Sequence, residues 1–435
     1  MRIKINFILI IIVIVSNSFA QDSISLIGKL NYSGIPIHDV NRYVDTTTNI
    51  PYALLCASTS GMRIINISNP ANPVQTGTIS GGGVNVVDVG TWKQYAYTVA
   101  ENITSTTGRI IDLSNPAAPV QVGIFPGAHT VNVTSNGYMY LESPGLKIYD
   151  LNPNPLSPQL VYNDPSCIGH DVTIVGNRLY DFSDNCGTRI YDLTQPDTLI
   201  LLGQIPSLGI FHHSGYPSSD GNYLFVCDEL SSPTENDITI WDISNPSAPM
   251  LVDSFADPSA YIHNFYIVDN YAYVSYYRNG FRVFDVSNPL NIFMVDQYDT
   301  DSTLSGPGYG GNYGLHVFSP DATILASDEN KGLYIFKFSG LQTVIKEEQN
   351  LINNVRVFPN PASSNFFVEY ELRNTENLSI VITDMLGREV SVIENNKQAS
   401  GQYQKEINLD LPNGFYNVVL KTENTLTNKK LIINK

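Results

Sequence analysis

Six of the seven histidines in this chain, His38, His129, His170, His213, His263 and His316, fall at the start of successive repeat units, with Asn85 at the corresponding place in the second unit. A second periodic set is acidic and comprises Glu101, Glu142, Asp184, Asp228, Glu229, Asp328 and Glu329. Imidazole with carboxylate is the donor set of Zn, Mn or Fe sites, and the same groups can carry protons near neutral pH. His213, Asp228, Glu229, His263, His316 and Asp328 are therefore the candidate metal ligands, and a divalent metal ion is the cofactor they would admit. Arg278 is a candidate for an anionic group, or for an ion pair at the same place. No two histidines stand at the local spacing of a helical metal motif, so any ligation depends on distant strands converging in register. A structural reading competes: one histidine hydrogen bond per repeat, clasping neighbouring strands, would recur in the same way without a ligand.

The elements that would position these groups are legible from a second periodicity. Asn66, Asp112, Asp150, Asp192, Asp242, Asp285 and Lys337 occupy one equivalent position, at a spacing of roughly 38 to 52 residues. Each unit reads as a polar or His-led strand, a Tyr-rich strand, a Gly-initiated strand ending near Asp-Ser-Asn-Pro, and then a fourth strand containing Gly. Such a unit is a propeller blade, which needs neighbours to bury both faces. The predicted fold is all-β: a seven-bladed β-propeller closed by an N-terminal strand, followed by a small Ig-like β-sandwich. The recurring Asp is turn chemistry, because short polar side chains bond nearby amides and Pro ends the ladder. In an up-and-down blade the loop entering the first strand and the loop leaving the second share a face. The histidines and acids are thus expected around one mouth of the central channel, where His38, His129, His170, His213, His263, His316 and Arg278 form the candidate ligand-binding set.

The seventh unit lacks a fourth strand after Tyr334-Ile335-Phe336-Lys337-Phe338, whereas Leu26-Ile27-Gly28-Lys29-Leu30 matches the missing one, Gly for Gly. Pairing of the two would close the ring and cover strand edges. Cys167 precedes the fourth blade and Cys186 lies in its second-to-third connection, so a rim disulfide worth about 3 kcal/mol is expected. Cys56 and Cys227 sit too far around a ring to pair and read as buried small apolar residues.

Residues 1–20 open with Arg2 and Lys4, run apolar from Phe7 to Val15 and close on Ser18-Phe19-Ala20, the pattern of a secretory signal peptide. No Cys follows the cleavage point, which argues against a lipid anchor. The formal charge of −17 becomes −19 once Arg2 and Lys4 leave, which opposes binding to nucleic acid or an anionic membrane surface and favours neutral or cationic partners. Gly81-Gly82-Gly83 and the Gly-rich 306–314 stretch lie outside any strand-to-helix junction and do not read as phosphate cradles. The insertion 299–312 carries tyrosines able to stack on sugars or peptides, and Ser214 has no nucleophile elbow around it.

The repeats Arg109-Ile110-Ile111-Asp112-Leu113-Ser114-Asn115-Pro116 and Arg282-Val283-Phe284-Asp285-Val286-Ser287-Asn288-Pro289 resemble the LVIVD family of bacterial extracellular propellers. The subgroup called choice-of-anchor B is similar at His263-Asn264-Phe265-Tyr266 and Tyr277-Arg278-Asn279-Gly280-Phe281-Arg282. This resemblance implies the fold and no particular reaction. After a polar linker, strands are expected over 366–371, 378–384, 389–393, 402–409, 415–421 and 429–433. Val357-Phe358-Pro359-Asn360-Pro361-Ala362, Asp384-Met385-Leu386-Gly387-Arg388-Glu389-Val390, Leu411-Pro412-Asn413-Gly414-Phe415-Tyr416 and the closing Lys429-Lys430-Leu431-Ile432-Ile433-Asn434-Lys435 resemble the C-terminal sorting domain of the type IX secretion system of Bacteroidota. That resemblance implies recognition by the secretion machinery, removal of the domain, and attachment to surface lipopolysaccharide or release. The expected division is a signal peptide (1–20), the propeller (21–340), a linker (341–350) and the sorting domain (351–435). Three functions fit: a surface or secreted propeller binding an extracellular ligand through its channel mouth, a metal-dependent extracellular hydrolase or lyase at that mouth, and a passive surface scaffold.

Overall fold

A strand that is apolar along its whole length needs cover on both faces. The Tyr-rich second strands are of this kind, and stacking of successive sheets supplies the cover. The computed structural model describes residues 22–100, 107–183, 186–207, 209, 211–230, 237–341, 352–372, 375–384, 388–422 and 426–435. The chain divides into two compact units, Met1–Gln342 and Thr343–Lys435. In the first, the described residues form seven four-stranded antiparallel sheets, each running from an innermost to an outermost strand. The second strands Pro51–Cys56, Tyr95–Ala100, Tyr223–Asp228 and Tyr271–Tyr276 are buried after their first residue, while the outer strands Val74–Ile79 and Val120–Pro126 are mostly exposed. The innermost strands are Val40–Val44, Val86–Trp92, Thr130–Val133, Gly169–Val175, His212–Pro217, Phe265–Val268 and Asn312–Phe318. All seven contribute residues to one central cavity of about 540 Å³.

The recurring acid behaves as turn chemistry. Asp112, Asp242 and Asp285 each accept the amide of the residue two places on, at 2.8, 2.9 and 2.9 Å, and Asn66 does the same for Ser68 at 2.9 Å. The glycine of the fourth strand has a different cause, close approach to the next sheet. A β-carbon at Gly77 would lie 2.0 Å from the carbonyl oxygen of Pro116, and one at Gly203 would lie 1.5 Å from that of Pro246.

Closure of the ring follows from the same packing. Ile24–Asn31 is the outermost strand of the last sheet, with Ile24 opposite Phe338 and Lys29 opposite Tyr334. A β-carbon on Gly28 would stand 2.0 Å from the Pro70 carbonyl oxygen, so this strand meets the first sheet as Gly77 meets the second. The register shift before Gly28 matches the shift between Ile64 and Ile65 opposite Gly77, and the N-terminal segment is a true fourth strand. Cys167 is disulfide-bonded to Cys186, while Cys56 and Cys227 are free and buried.

In the second unit, Ile352–Phe358, Asn365–Leu372 and Gly401–Asn408 form one sheet, and Glu389–Gln398, Glu376–Asp384, Gly414–Lys421 and Leu426–Ile433 form another. Alternation along each strand sends Phe366, Val368, Ile380, Ile382, Val418 and Leu420 into a shared core. Ile352–Phe358 is a strand beyond those the sequence pattern predicts. The motif residues act as ties: Asn360 donates to the Lys430 carbonyl at 2.6 Å and accepts the Ile432 amide at 2.8 Å, and Asn413 accepts the Lys435 amide at 2.9 Å.

Candidate functional site

Four of the seven innermost strands carry a β-bulge in their pairing with the second strand. In the fourth, fifth and seventh sheets the pairing skips between Gly169 and Asp171, His212 and Ser214, and Asn312 and Leu315. A bulge sets two residues against one partner and re-aims the side chains. The bulged residues His170, His213 and Tyr313 meet His38, His129 and His263 of the other sheets in a collar of rings. His129 and His170 have centroids 4.6 Å apart, His170 and His213 4.1 Å, His213 and His263 4.7 Å, His263 and Tyr313 3.9 Å, and Tyr313 and His38 5.2 Å.

Two members differ from the sequence expectation. Tyr313, not His316, takes the place in the seventh sheet; His316 lies farther along the strand, opposite Leu325, and lines the cavity near Arg42. In the second sheet the bulge falls between Val86 and Asp88, so Val87 holds the register position. Asn85 instead reaches across and accepts a hydrogen bond from His38 Nε2 at 3.0 Å.

Four of the five collar histidines fall into two groups. His38 and His263 are clasped, the latter by Nδ1 donating to the Tyr313 carbonyl at 2.9 Å, and His212 shares a 2.7 Å hydrogen bond with Thr188. His170 Nδ1 and both nitrogens of His213 are buried and close no hydrogen bond. His213 is only 2% exposed, and its Nε2 faces Glu229 Oε2 at 3.3 Å. Burial pushes His213 and His263 down to about 3, and burial followed by the neighbouring imidazoles takes His170 well below the usual range. These rings are neutral at physiological pH, with lone pairs available as donors. Tyr277 donates its hydroxyl to Glu229 Oε1 and holds that carboxylate beside the collar.

The remaining acids are distributed differently from the expectation. Asp328 is fully buried and accepts from Thr300 and from the amides of Asn330 and Lys331, so it fastens a loop. Asp228 accepts the Leu230 amide at 3.0 Å in the equivalent turn. Glu142 lies on its strand opposite Thr130, where burial raises its pKa well above the carboxylate range. Glu329 stands 4.0 Å from His38. Glu101 and Asp184 lie outside the described residues. Arg278 donates to the Tyr309 carbonyl at 2.9 Å and so secures the insertion 299–312. Ser214 donates to the His263 carbonyl.

The residues that follow His38, Val87 and His170 form an inner tier absent from the sequence-based candidates. Asp39, Asp88 and Asp171 line the cavity, and all three are raised, chiefly by burial, Asp171 to about 7. Mutual repulsion adds to this at Asp39, and Asp88 also bonds the Val131 amide at 2.7 Å. The dipeptides His38-Asp39 and His170-Asp171 were the available signal.

Comparison with known proteins agrees with the fold. The LVIVD repeat matches residues 52–80, 94–126, 218–257 and 263–300, and a secretion system C-terminal sorting domain matches residues 356–434. The chain carries LVIVD repeats and a C-terminal sorting domain. This sorting domain directs export by the type IX system to the cell surface or the extracellular space. Among curated proteins, none matches this LVIVD-repeat chain by sequence. A solved structure of a protein from Lactobacillus plantarum is similar with a TM-score of 0.51 at 13% identity, covering 80% of this chain and 95% of its own, a likeness of fold alone. A structure described as YCF48 bound to D1 peptide is similar at a TM-score of 0.49 and 11% identity, covering 74% of this chain and 96% of its own.

Proposed function

We propose that this exported LVIVD-repeat propeller binds a neutral or cationic extracellular ligand at the mouth of its central channel. The observation that carries the reading is the collar of imidazole and phenol rings, drawn from five consecutive sheets and continued to His38 of the first. Beside it stand aromatic faces suited to stacking: Tyr277 and Tyr309 at 5.2 Å, and Tyr261 and Tyr309 at 5.5 Å, with Tyr309 49% exposed. The net charge favours a ligand without negative charge. In this reading the sorting unit engages the type IX machinery, and its removal leaves the propeller bound to surface lipopolysaccharide or released.

The facing pair His213 and Glu229 also supports a metal-dependent hydrolase or lyase at the same mouth. The binding reading is preferred because His38 and His263 of the collar and the neighbouring acids Asp228 and Asp328 are engaged in fastening strands and loops. The test is calorimetry and thermal shift of the chain against neutral oligosaccharides and cationic peptides, with Tyr309→Ala alongside. Binding by at least one of these classes that falls tenfold or more in Tyr309→Ala supports the mouth. Binding unaffected by Tyr309→Ala and His263→Ala alike, or no binding in either class, refutes it.

A further inference from the structure

We propose that His170, His213 and Glu229 form a binding site for a divalent first-row transition ion, Zn²⁺ foremost. This deepens the mouth-binding reading and rests on it for the role of the open coordination position. One donor atom from each of the three residues lies within 4.8 Å of the other two. Zinc bonds of about 2.0–2.2 Å at tetrahedral angles set donors roughly 3.3–3.5 Å apart. His213 Nε2 and Glu229 Oε2 already stand at 3.3 Å.

Three features separate this trio from the other histidines. His38, His212 and His263 each commit one ring nitrogen to a hydrogen bond that holds strands together, with His38 Nδ1 and His212 Nε2 left unbonded. His213, 2% exposed, is the one buried histidine among the described residues with both ring nitrogens outside any hydrogen bond, and His170 Nδ1 beside it is also unbonded. A buried polar group left in that state is destabilising, and a coordinated ion removes that cost. The carboxylate is oriented from behind by the Tyr277 hydroxyl, the kind of outer contact that fixes a metal ligand. Finally, the donor set is two nitrogens and one oxygen, which suits borderline ions; calcium and magnesium require sets made of oxygen. Three protein donors leave a fourth position for water or for a polar group of a ligand entering the mouth.

The experiment uses the full, untagged chain. Metal content is measured by elemental analysis after purification without chelator, and Zn²⁺ affinity by calorimetry on chelator-stripped, dialysed protein. The variants are His213→Ala and Glu229→Gln, with Glu329→Gln as the control at the equivalent acid of the last sheet. Glu229→Gln keeps the side-chain shape on a loop, so it answers the question even if His213→Ala folds poorly. About one zinc per chain is expected, bound at least about 100-fold more weakly by His213→Ala and Glu229→Gln and unchanged in Glu329→Gln, since even outer contacts change affinity by 10–100-fold. Cobalt substitution should give visible d–d absorption that the same two variants lose. Absence of stoichiometric metal, or binding that ignores both substitutions, overturns the site. A chain that binds no zinc yet binds an oligosaccharide through Tyr309 overturns the metal inference alone and leaves the mouth reading standing.

Discussion

Replacing Gly28 with Ala tests whether the N-terminal strand is structurally equivalent to the other outer strands. Gly28 has no left-handed backbone, so the change is purely steric: the new methyl would meet the Pro70 carbonyl oxygen at 2.0 Å and its carbon at 3.1 Å. These are backbone atoms of the neighbouring sheet and cannot rotate away. Overpacking of this kind costs about 1–3 kcal/mol. Gly77→Ala creates the same 2.0 Å clash with Pro116 between the first two sheets and sets the scale. Both tryptophans, Trp92 and Trp241, belong to the propeller, so their fluorescence in a urea titration follows this unit alone. The two variants should lose equal stability, with midpoints lowered and slopes unchanged. The consequence reaches the collar, because the closing strand pins the sheet that supplies Tyr313. A Gly28→Ala variant as stable as the parent, beside a Gly77→Ala variant that loses 2 kcal/mol or so, would show that the N-terminal strand is loosely held and that closure does not depend on it.

Asp171→Asn should stabilise the propeller at pH 8 and do little or the reverse at pH 4. The folded pKa of about 7 lies above the ordinary 3.8, so the stability tied to its proton is fully present below the ordinary value and is lost as pH rises through the folded one. Urea midpoints at the two pH values check this. Reducing the Cys167 to Cys186 bond, or Cys167→Ser, should cost about 3 kcal/mol by the same fluorescence measurement. Arg189→Ala should cost about 3–5 kcal/mol, since it strips the guanidinium from Asp181, which is fully buried, and from Asp164. Removing residues 352–435 should leave the propeller in the periplasm of a type IX-competent host, scored by fractionation and immunoblotting.

Much of this molecule was legible before any coordinates. Asp112, Asp242 and Asp285 marked the turns because their side chains bond the amide two residues on, a local interaction that needs no tertiary context. The match of Gly28 to Gly77 located the closing strand, because both glycines answer the same contact with a proline carbonyl. The site was less legible. His316 has the right residue type at nearly the right spacing, yet the bulge between Asn312 and Leu315 gives Tyr313 the collar position. Asp328 looked like a ligand and proves to bind Thr300 and two amides. Asp39, Asp88 and Asp171 passed unnoticed because their significance comes from neighbours in other sheets.

The order of residues along the chain determined the number and meander of the sheets, the turns between strands, the disulfide and the sorting motifs. Each of these depends on contacts within a repeat or between repeats related by one period. Tertiary structure alone decided which imidazoles meet, which of them keep unbonded nitrogens, and which carboxylate faces them. Side chains on a strand alternate faces with a period of two, so a one-residue bulge reassigns the channel-facing position, and only the pairing of strands reveals where that bulge lies.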